Sequence, residues 1–129
     1  MRRYLVEFWY GHRGDEQCQF IVEATSPVNA FMVAFEKYLK QNPRKHAGRA
    51  LSSSWGTVGC QSYELSYSVA LIGPDGSVDE VKLRGGLRSS SLFKSAKKIM
   101  QDAGIDIIGI ESDLQEGHQA ANDWEWSKP

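Results

Sequence analysis

Residues 62–72 alternate between two kinds of side chain, and this pattern constrains the fold more than any other feature of the chain. One set is large and apolar: Tyr63, Leu65, Tyr67, Val69 and Leu71. The other set is Glu64, Ser66, Ser68, Ala70 and Ile72. Successive side chains of a strand point to opposite faces of a sheet. The pattern therefore predicts a β-strand with its first face in the core.

A tight turn and a return strand follow. In the segment Gly73-Pro74-Asp75-Gly76, proline presets one backbone dihedral angle and glycine accepts a positive one. Residues 77–84 then predict the return strand. The alternation slips near Asp79 and Glu80, which predicts a bulge at that point.

A second hairpin precedes these strands. Residues 2–10 and 17–25 are rich in aromatic and β-branched side chains, and a glycine-containing turn separates them. Ser26-Pro27 then predicts a helix start, because serine caps free amide groups and proline fits the first helical position. Asn42-Pro43 predicts the end of that helix, since a residue before proline disfavours the helical region.

The remaining segments predict a loop, a helix and a strand. Residues 43–61 contain many small, polar and basic residues, which predicts a loop of nearly 20 residues. An apolar stripe at helical spacing runs from Leu92 to Ala103, and Gly104 suits the end of that helix. Residues 105–111 are a short apolar run that predicts a last strand.

The predicted order is therefore ββαββαβ. It favours an α+β fold with a mainly antiparallel five-stranded sheet and two helices on one face. Without the first strand the order is that of ferredoxin-like domains, so a ferredoxin-like variant is one possible arrangement. We expect a single domain over residues 1–111 and an acidic C-terminal tail over residues 112–129.

Composition narrows the class of protein. A chain of 129 residues, 41% of them hydrophobic, is the size of one domain and can bury a core without metals or disulfides. Glu7 interrupts the only apolar patch that resembles a signal peptide, so we expect a soluble cytoplasmic protein without a membrane partner. Cys18 and Cys60 are then expected to be thiols. No histidine or cysteine spacing indicates a metal site, and no motif indicates a cofactor.

Charge is distributed unevenly along the chain, although the formal net charge is −1. Residues 36–98 carry 11 basic and 5 acidic residues, a net charge of +6, whereas residues 99–129 carry 1 basic and 7 acidic residues, a net charge of −6. A surface patch of one sign attracts a partner of the opposite sign from a distance. The sequence therefore predicts a basic patch and an acidic end.

The predicted binding residues follow from this charge pattern and from tryptophan. They are Lys40, Arg44, Lys45, Arg49, Trp55, Arg84, Arg88, Lys94, Lys97, Lys98, Trp124 and Trp126. Trp55 could stack on a base. Trp124 and Trp126, flanked by acids, either anchor on a partner or pack back on the sheet. The cations are equally consistent with ordinary solvated charges, and the aromatic motif of RNA-recognition domains is absent.

Three functions remain open from the sequence. The first is a non-enzymatic module that binds another protein, and the expected partner is a protein with an acidic surface or a host complex. In size and layout the chain resembles small accessory proteins of phages and plasmids, some of which inhibit host defence complexes; this resemblance identifies no residues. The alternative is nucleic-acid binding through a basic patch from residues 40–49 and 82–98. A small enzyme ranks last, and a homo-oligomer is possible.

Overall fold

An antiparallel sheet with helices on one face forms this α+β protein. The computed structural model describes residues 1–10, 17–55 and 62–116. In chain order the elements are β1 (Arg2–Tyr10), β2 (Gln17–Ala24), α1 (Pro27–Gln41), α2 (Pro43–Leu51), β3 (Ser53–Trp55), β4 (Ser62–Ile72), β5 (Val78–Gly86), α3 (Phe93–Asp102) and α4 (Ile107–Glu116).

Four strands form the main sheet, in the order β2-β1-β4-β5. Both predicted hairpins are confirmed: β1 pairs with β2, and β4 pairs with β5. β1 also pairs with β4, with Leu5 opposite Ala70, so the two hairpins join through their longest strands. The three-residue strand β3 pairs with the first three residues of β4. The main sheet thus has four strands rather than the predicted five.

The turn between β4 and β5 has the predicted geometry. The amide of Gly73 donates to the carbonyl of Ser77 at 2.8 Å, and Gly76 has a positive φ of 85°. The Asp75 carboxylate accepts hydrogen bonds from the hydroxyl of Ser77 at 2.7 Å and from its amide at 3.1 Å. These bonds hold the pKa of the Asp75 carboxyl below its usual range, because they stabilise the charged form.

The predicted bulge in β5 is confirmed. The pairing with β4 shifts twice, so that Asp79 and Lys82 have no directly opposite residue. Each shift inserts one extra residue into β5 and increases its local twist. β5 is therefore an irregular edge of the sheet.

The first predicted helix is also confirmed. The hydroxyl of Ser26 accepts a hydrogen bond from the amide of Asn29 at 3.1 Å, and Pro27 is the first helical residue. The helix ends before Asn42. Its buried stripe recurs at helical spacing and comprises Ala30, Phe31, Ala34, Phe35, Tyr38 and Leu39.

The prediction of a loop over residues 43–61 is wrong where the structure describes that segment. It contains α2 and β3. Pro43 both ends α1 and begins α2, because its missing N–H costs nothing at the first helical position. Ala47, Ala50 and Leu51 form a buried stripe that the neighbouring charged residues conceal in the sequence.

The prediction of a last strand over residues 105–111 is also wrong, because α4 begins there. The carboxylate of Asp106 accepts a hydrogen bond from the amide of Gly109 at 3.0 Å, and its carbonyl accepts from Ile110 at 3.1 Å. Asp106 thus caps the helix, and Ile107 and Ile110 share its buried face. The described part of the chain thus has four helices rather than the predicted two, and no strand follows β5 there, so the ferredoxin-like variant does not apply.

The cap at Asp106 leads to a measurable prediction. We expect Asp106→Ala to lower the free energy of unfolding by about 1 kcal/mol, because the amide of Gly109 loses its acceptor. Urea unfolding of the full chain measures this loss. Asp106→Ser retains a capping oxygen and serves as the matched control, with little expected change. Equal losses in the two variants would contradict the capping role.

The core lies between the sheet and the helices. Alternate side chains of β1 and β4, including Val6, Phe8, Leu65 and Val69, are fully buried on one sheet face. The described helices all contribute to the same apolar cluster, from Phe31 in α1 to Ile110 in α4. α1 packs mainly on β2, whereas α3 and α4 pack on the other helices. The core therefore covers one face of the sheet.

Candidate binding surfaces

The second face of the sheet carries a row of apolar side chains. Paired residues of antiparallel strands point to the same face. Leu5 pairs with Ile21 on one side and with Ala70 on the other, and Ala70 pairs with Val81. A continuous apolar row therefore crosses all four strands. We call this surface the open face; its apolar members are Leu5, Trp9, Ile21, Ala70, Ile72, Val78 and Val81.

The outer members of this row are strongly exposed. Ile21 is 58% exposed on β2, and Val78 and Val81 are 53% and 47% exposed on β5. Ala70, in the middle, is buried but does not belong to the core cluster. Single exposed apolar residues are ordinary, whereas a contiguous apolar patch is typical of a binding surface.

A polar row lies beside the apolar one. It consists of Gln19, Glu7, Ser68 and Arg84, which pair across the four strands. The carboxylate of Glu7 accepts a hydrogen bond from the side-chain amide of Gln19 at 3.1 Å and another from that of Gln17. The Glu7 carboxylate, which carries the negative charge of this row, thus already accepts hydrogen bonds within the fold. The exposed Arg84 lies at the β5 end of the row.

The edge of β5 carries an ion pair. The ammonium of Lys82 lies 2.6 Å from the carboxylate of Glu80. This hydrogen bond and its charge lower the pKa of the Glu80 carboxyl below its usual range. Together with Asp79 and Arg84, these side chains give the β5 edge charges of both signs.

Two of the predicted cations meet on the helical side of the molecule. The guanidinium of Arg88 donates to the carbonyl of Leu51 and lies 5.3 Å from the centre of the Phe93 ring. The ammonium of Lys97 lies 5.6 Å from the same ring and 3.6 Å from the carboxylate of Glu111. Lys97 belongs to the basic middle of the chain and Glu111 to its acidic end, so the fold pairs charges from the two regions.

The other predicted site residues are dispersed. Arg49 lies over the ring of Tyr10 at 5.1 Å, and Lys40 lies 3.5 Å from Glu36. Arg84 lies on the open face, away from the helical cations. Arg44 and Lys45 are in α2, and Lys94 and Lys98 are in α3.

The side chains of the three tryptophans predicted to bind a partner lie outside the described part of the structure. Trp55 belongs to β3, but its side chain lies outside the described part of the structure. Trp124 and Trp126, with the rest of residues 117–129, lie outside the described residues. The anchoring role predicted for them stays a prediction.

An apolar cleft of about 440 Å³ lies where α1 and α3 end and α2 begins. Its apolar lining includes Leu39, Pro43, Ile99 and Ile105. Its charged lining consists of Glu36, Lys40 and Asp102. Small-molecule sites are often apolar clefts of this size.

Sequence reasoning missed the open face. The second set of the alternating segment ends with Ala70 and Ile72, which are apolar where a solvated face would be polar. Leu5 and Ile21 occupy the corresponding positions of the other hairpin. Comparing the second faces of all strands, rather than only their core faces, would have revealed the row.

No protein family, curated protein or solved structure matches this chain. Of the helices in the described segments, none is both long and apolar enough to cross a membrane. Within residues 1–10, 17–55 and 62–116, no three side chains of His, Cys, Asp or Glu come together in a way that could hold a metal ion.

Proposed function

We propose that this protein is a non-enzymatic binding module that contacts another protein through the open face of its sheet. The observation that carries this proposal is the apolar row Ile21-Leu5-Ala70-Val81, which is exposed at both ends. Burying that row against a partner would remove apolar area from water, which is the main driving force of association.

The chemistry around the row supports one class of protein partner. Protein interfaces combine an apolar centre with a polar rim. Here the centre is the apolar row, and the rim includes the exposed guanidinium of Arg84 beside Val81. A partner of matching chemistry presents an apolar strip with a carboxylate at its end. This agrees with the acidic protein surface expected from the sequence.

Nucleic acid is the competing partner, and the geometry supports it less. Arg88, Lys97 and Lys40 each contact a carbonyl or carboxylate within the fold. Arg84 lies on the other side of the sheet from the helical cations. A phosphate backbone binds best to a continuous basic surface, because affinity rises with the number of phosphates neutralised.

We expect Val81→Lys to weaken binding to the protein partner about tenfold or more, because an unpaired ammonium would be buried in the interface. The partner is captured from nuclease-treated lysate of the source organism, identified by mass spectrometry, purified, and titrated by calorimetry. Ile108→Lys is the matched control. Ile108 is 83% exposed on α4, far from the open face, so the affinity should be unchanged.

Two results would contradict this function. Equal affinities of the Val81→Lys and Ile108→Lys variants would exclude the open face as the binding surface. Binding of labelled single-stranded DNA or RNA that falls steeply with salt, together with no protein partner, would favour the nucleic-acid alternative. Substituting the exposed Lys94 and Lys98 by Glu would then abolish that binding.

A further inference from the structure

The two edges of the main sheet differ in their protection. An edge strand presents unpaired N–H and C=O groups that can pair with another strand, and proteins block this with charges, bulges, prolines or cover. β5 has two bulges, at Asp79 and Lys82, and carries several charges. Its edge is therefore well protected against another strand.

Within the described residues, the β2 edge has no bulge, proline or lysine. β2 runs as QCQFIVEA, without proline or lysine, and pairs with β1 in unbroken register. Its one charged residue is Glu23, near its end. Among the described residues, no strand pairs with the outer side of β2. The sequence of β2 thus contains no feature that hinders pairing with another strand.

We propose that a second copy of this chain occupies the β2 edge, and that β2 pairs antiparallel with β2 of the second copy with Ile21 directly opposite Ile21. The pairing forms a continuous eight-stranded sheet about a two-fold axis perpendicular to it. This proposal concerns association of the chain with itself and does not require the protein partner proposed above.

Symmetry limits the possible registers. Directly opposite residues of an antiparallel pair share a face. With the two helical layers on the same side of the sheet, one residue of β2 must therefore lie opposite itself. If that residue is Phe20, Ile21 lies opposite the polar Gln19; if it is Val22, Ile21 lies opposite the charged Glu23. Of these three registers, only the one centred on Ile21 places this exposed side chain opposite an apolar residue.

The register centred on Ile21 is complementary on both faces. On the open face, the amide of Gln19 lies opposite the carboxylate of Glu23, twice by symmetry, and the two negative charges stay apart. On the helical face, Phe20 lies opposite Val22, also twice. Cross-strand pairs of an aromatic and a β-branched residue are favourable. The single charged residue of β2 is thus placed where it stabilises the pairing.

One further feature supports the second copy as the occupant. The apolar row of one chain continues into that of the other through Ile21, which is 58% exposed in the single chain. Pairing at β2 would thus extend the apolar row across both chains.

Disulfide trapping tests the register. In a background with Cys18 and Cys60 replaced by serine, Ile21→Cys places two thiols on directly opposite residues. Their Cα atoms would lie about 4.5–5.5 Å apart, within the range of a disulfide. We expect a cross-linked dimer under mild oxidation. Gln19→Cys is the matched control, because its two copies would be four residues out of register, about 13 Å apart, and should not cross-link.

A mixture of the Gln19→Cys and Glu23→Cys chains should cross-link, since these positions lie opposite each other in the proposed register. Cross-linking of Gln19→Cys alone, or failure of Ile21→Cys to cross-link, would overturn the proposal. The outcome is read on non-reducing gels, and the linked peptides are identified by mass spectrometry.

Light scattering during size-exclusion chromatography tests the dimer without thiols. We expect the wild-type chain to reach twice its 14.5 kDa monomer mass at high concentration. Ile21→Lys should remain monomeric, because two ammonium groups would meet across the edge. Val81→Lys, on the far strand of the same row, should still dimerise. The proposal would be overturned if the wild-type chain were monomeric, or if Ile21→Lys and Val81→Lys dissociated the dimer equally.

The two variants also separate this inference from the proposed function. Ile21→Lys should abolish self-association. Val81→Lys should weaken binding to the protein partner and leave self-association intact. A Val81→Lys chain that keeps full affinity for the partner would contradict the proposed function alone, whereas an Ile21→Lys chain that still dimerises would contradict this inference alone.

Discussion

Phe8→Ala is expected to lower the free energy of unfolding by about 3–5 kcal/mol. Phe8 is only 1% exposed, in the middle of β1. Its ring stacks on Tyr38 at 4.8 Å between centroids and contacts Phe31 and Phe35 at 5.8 and 6.0 Å. Truncation to alanine removes these contacts and leaves a cavity that the rigid sheet cannot close. Loss of the aromatic pairs lowers the stability further, beyond the effect of the lost buried area.

Urea unfolding, followed by tryptophan fluorescence and circular dichroism, measures this effect. A small domain is stable by only about 5–15 kcal/mol, so the variant should unfold at a much lower urea concentration. Phe8→Leu retains most of the volume and should lose about 1.5 kcal/mol or less. A loss below about 1 kcal/mol for Phe8→Ala would show that β1 does not face the core as described.

The sequence predicted the parts of the fold that carry strong local signals. Alternation in β4, the turn at Gly76 and the Ser26-Pro27 helix start each act within a few residues, so they were readable from the sequence. α2 and α4 were missed for a different reason. Their apolar residues are few and interrupted by glycine or charge, and burial against other helices stabilises them.

The helix at residues 107–116 illustrates this limit. The run Ile105-Asp106-Ile107-Ile108-Gly109 has the β-branched composition of a strand. Asp106 reverses that preference by capping the helix, and Ile108 is left exposed as a consequence. Local propensity and capping compete within five residues, and the sequence alone does not state which prevails.

The candidate surface was less predictable than the fold. Charge in the sequence drew attention to residues 36–98, but the structure shows that Arg88 and Lys97 contact groups of the same chain. The open face depends on the register between strands whose paired residues lie up to 65 positions apart in sequence, such as Leu5 with Ala70. Register of distant strands is a tertiary property, so charge counting could not find this face.

Arg88→Ala is expected to lower the free energy of unfolding by about 2 kcal/mol. The guanidinium of Arg88 donates to the carbonyl of Leu51, where α2 ends, and packs over the ring of Phe93. The carbonyls at a helix C-terminus lack partners within the helix and attract a cation. The hydrogen bond between the two residues is half-buried. Removing Arg88 therefore leaves the carbonyl of Leu51 without its charged donor.

Lys94→Ala provides the matched control for Arg88, because Lys94 is an exposed cation of the same charge in α3. Its free energy of unfolding should change by less than about 0.5 kcal/mol. Arg88→Lys should fall between them, since it keeps the charge but loses the planar donor group. If Arg88→Ala and Lys94→Ala were equally stable in urea, Arg88 would not hold α2 in place. The charge of Arg88 would then be available to a ligand, and this result would support the nucleic-acid alternative.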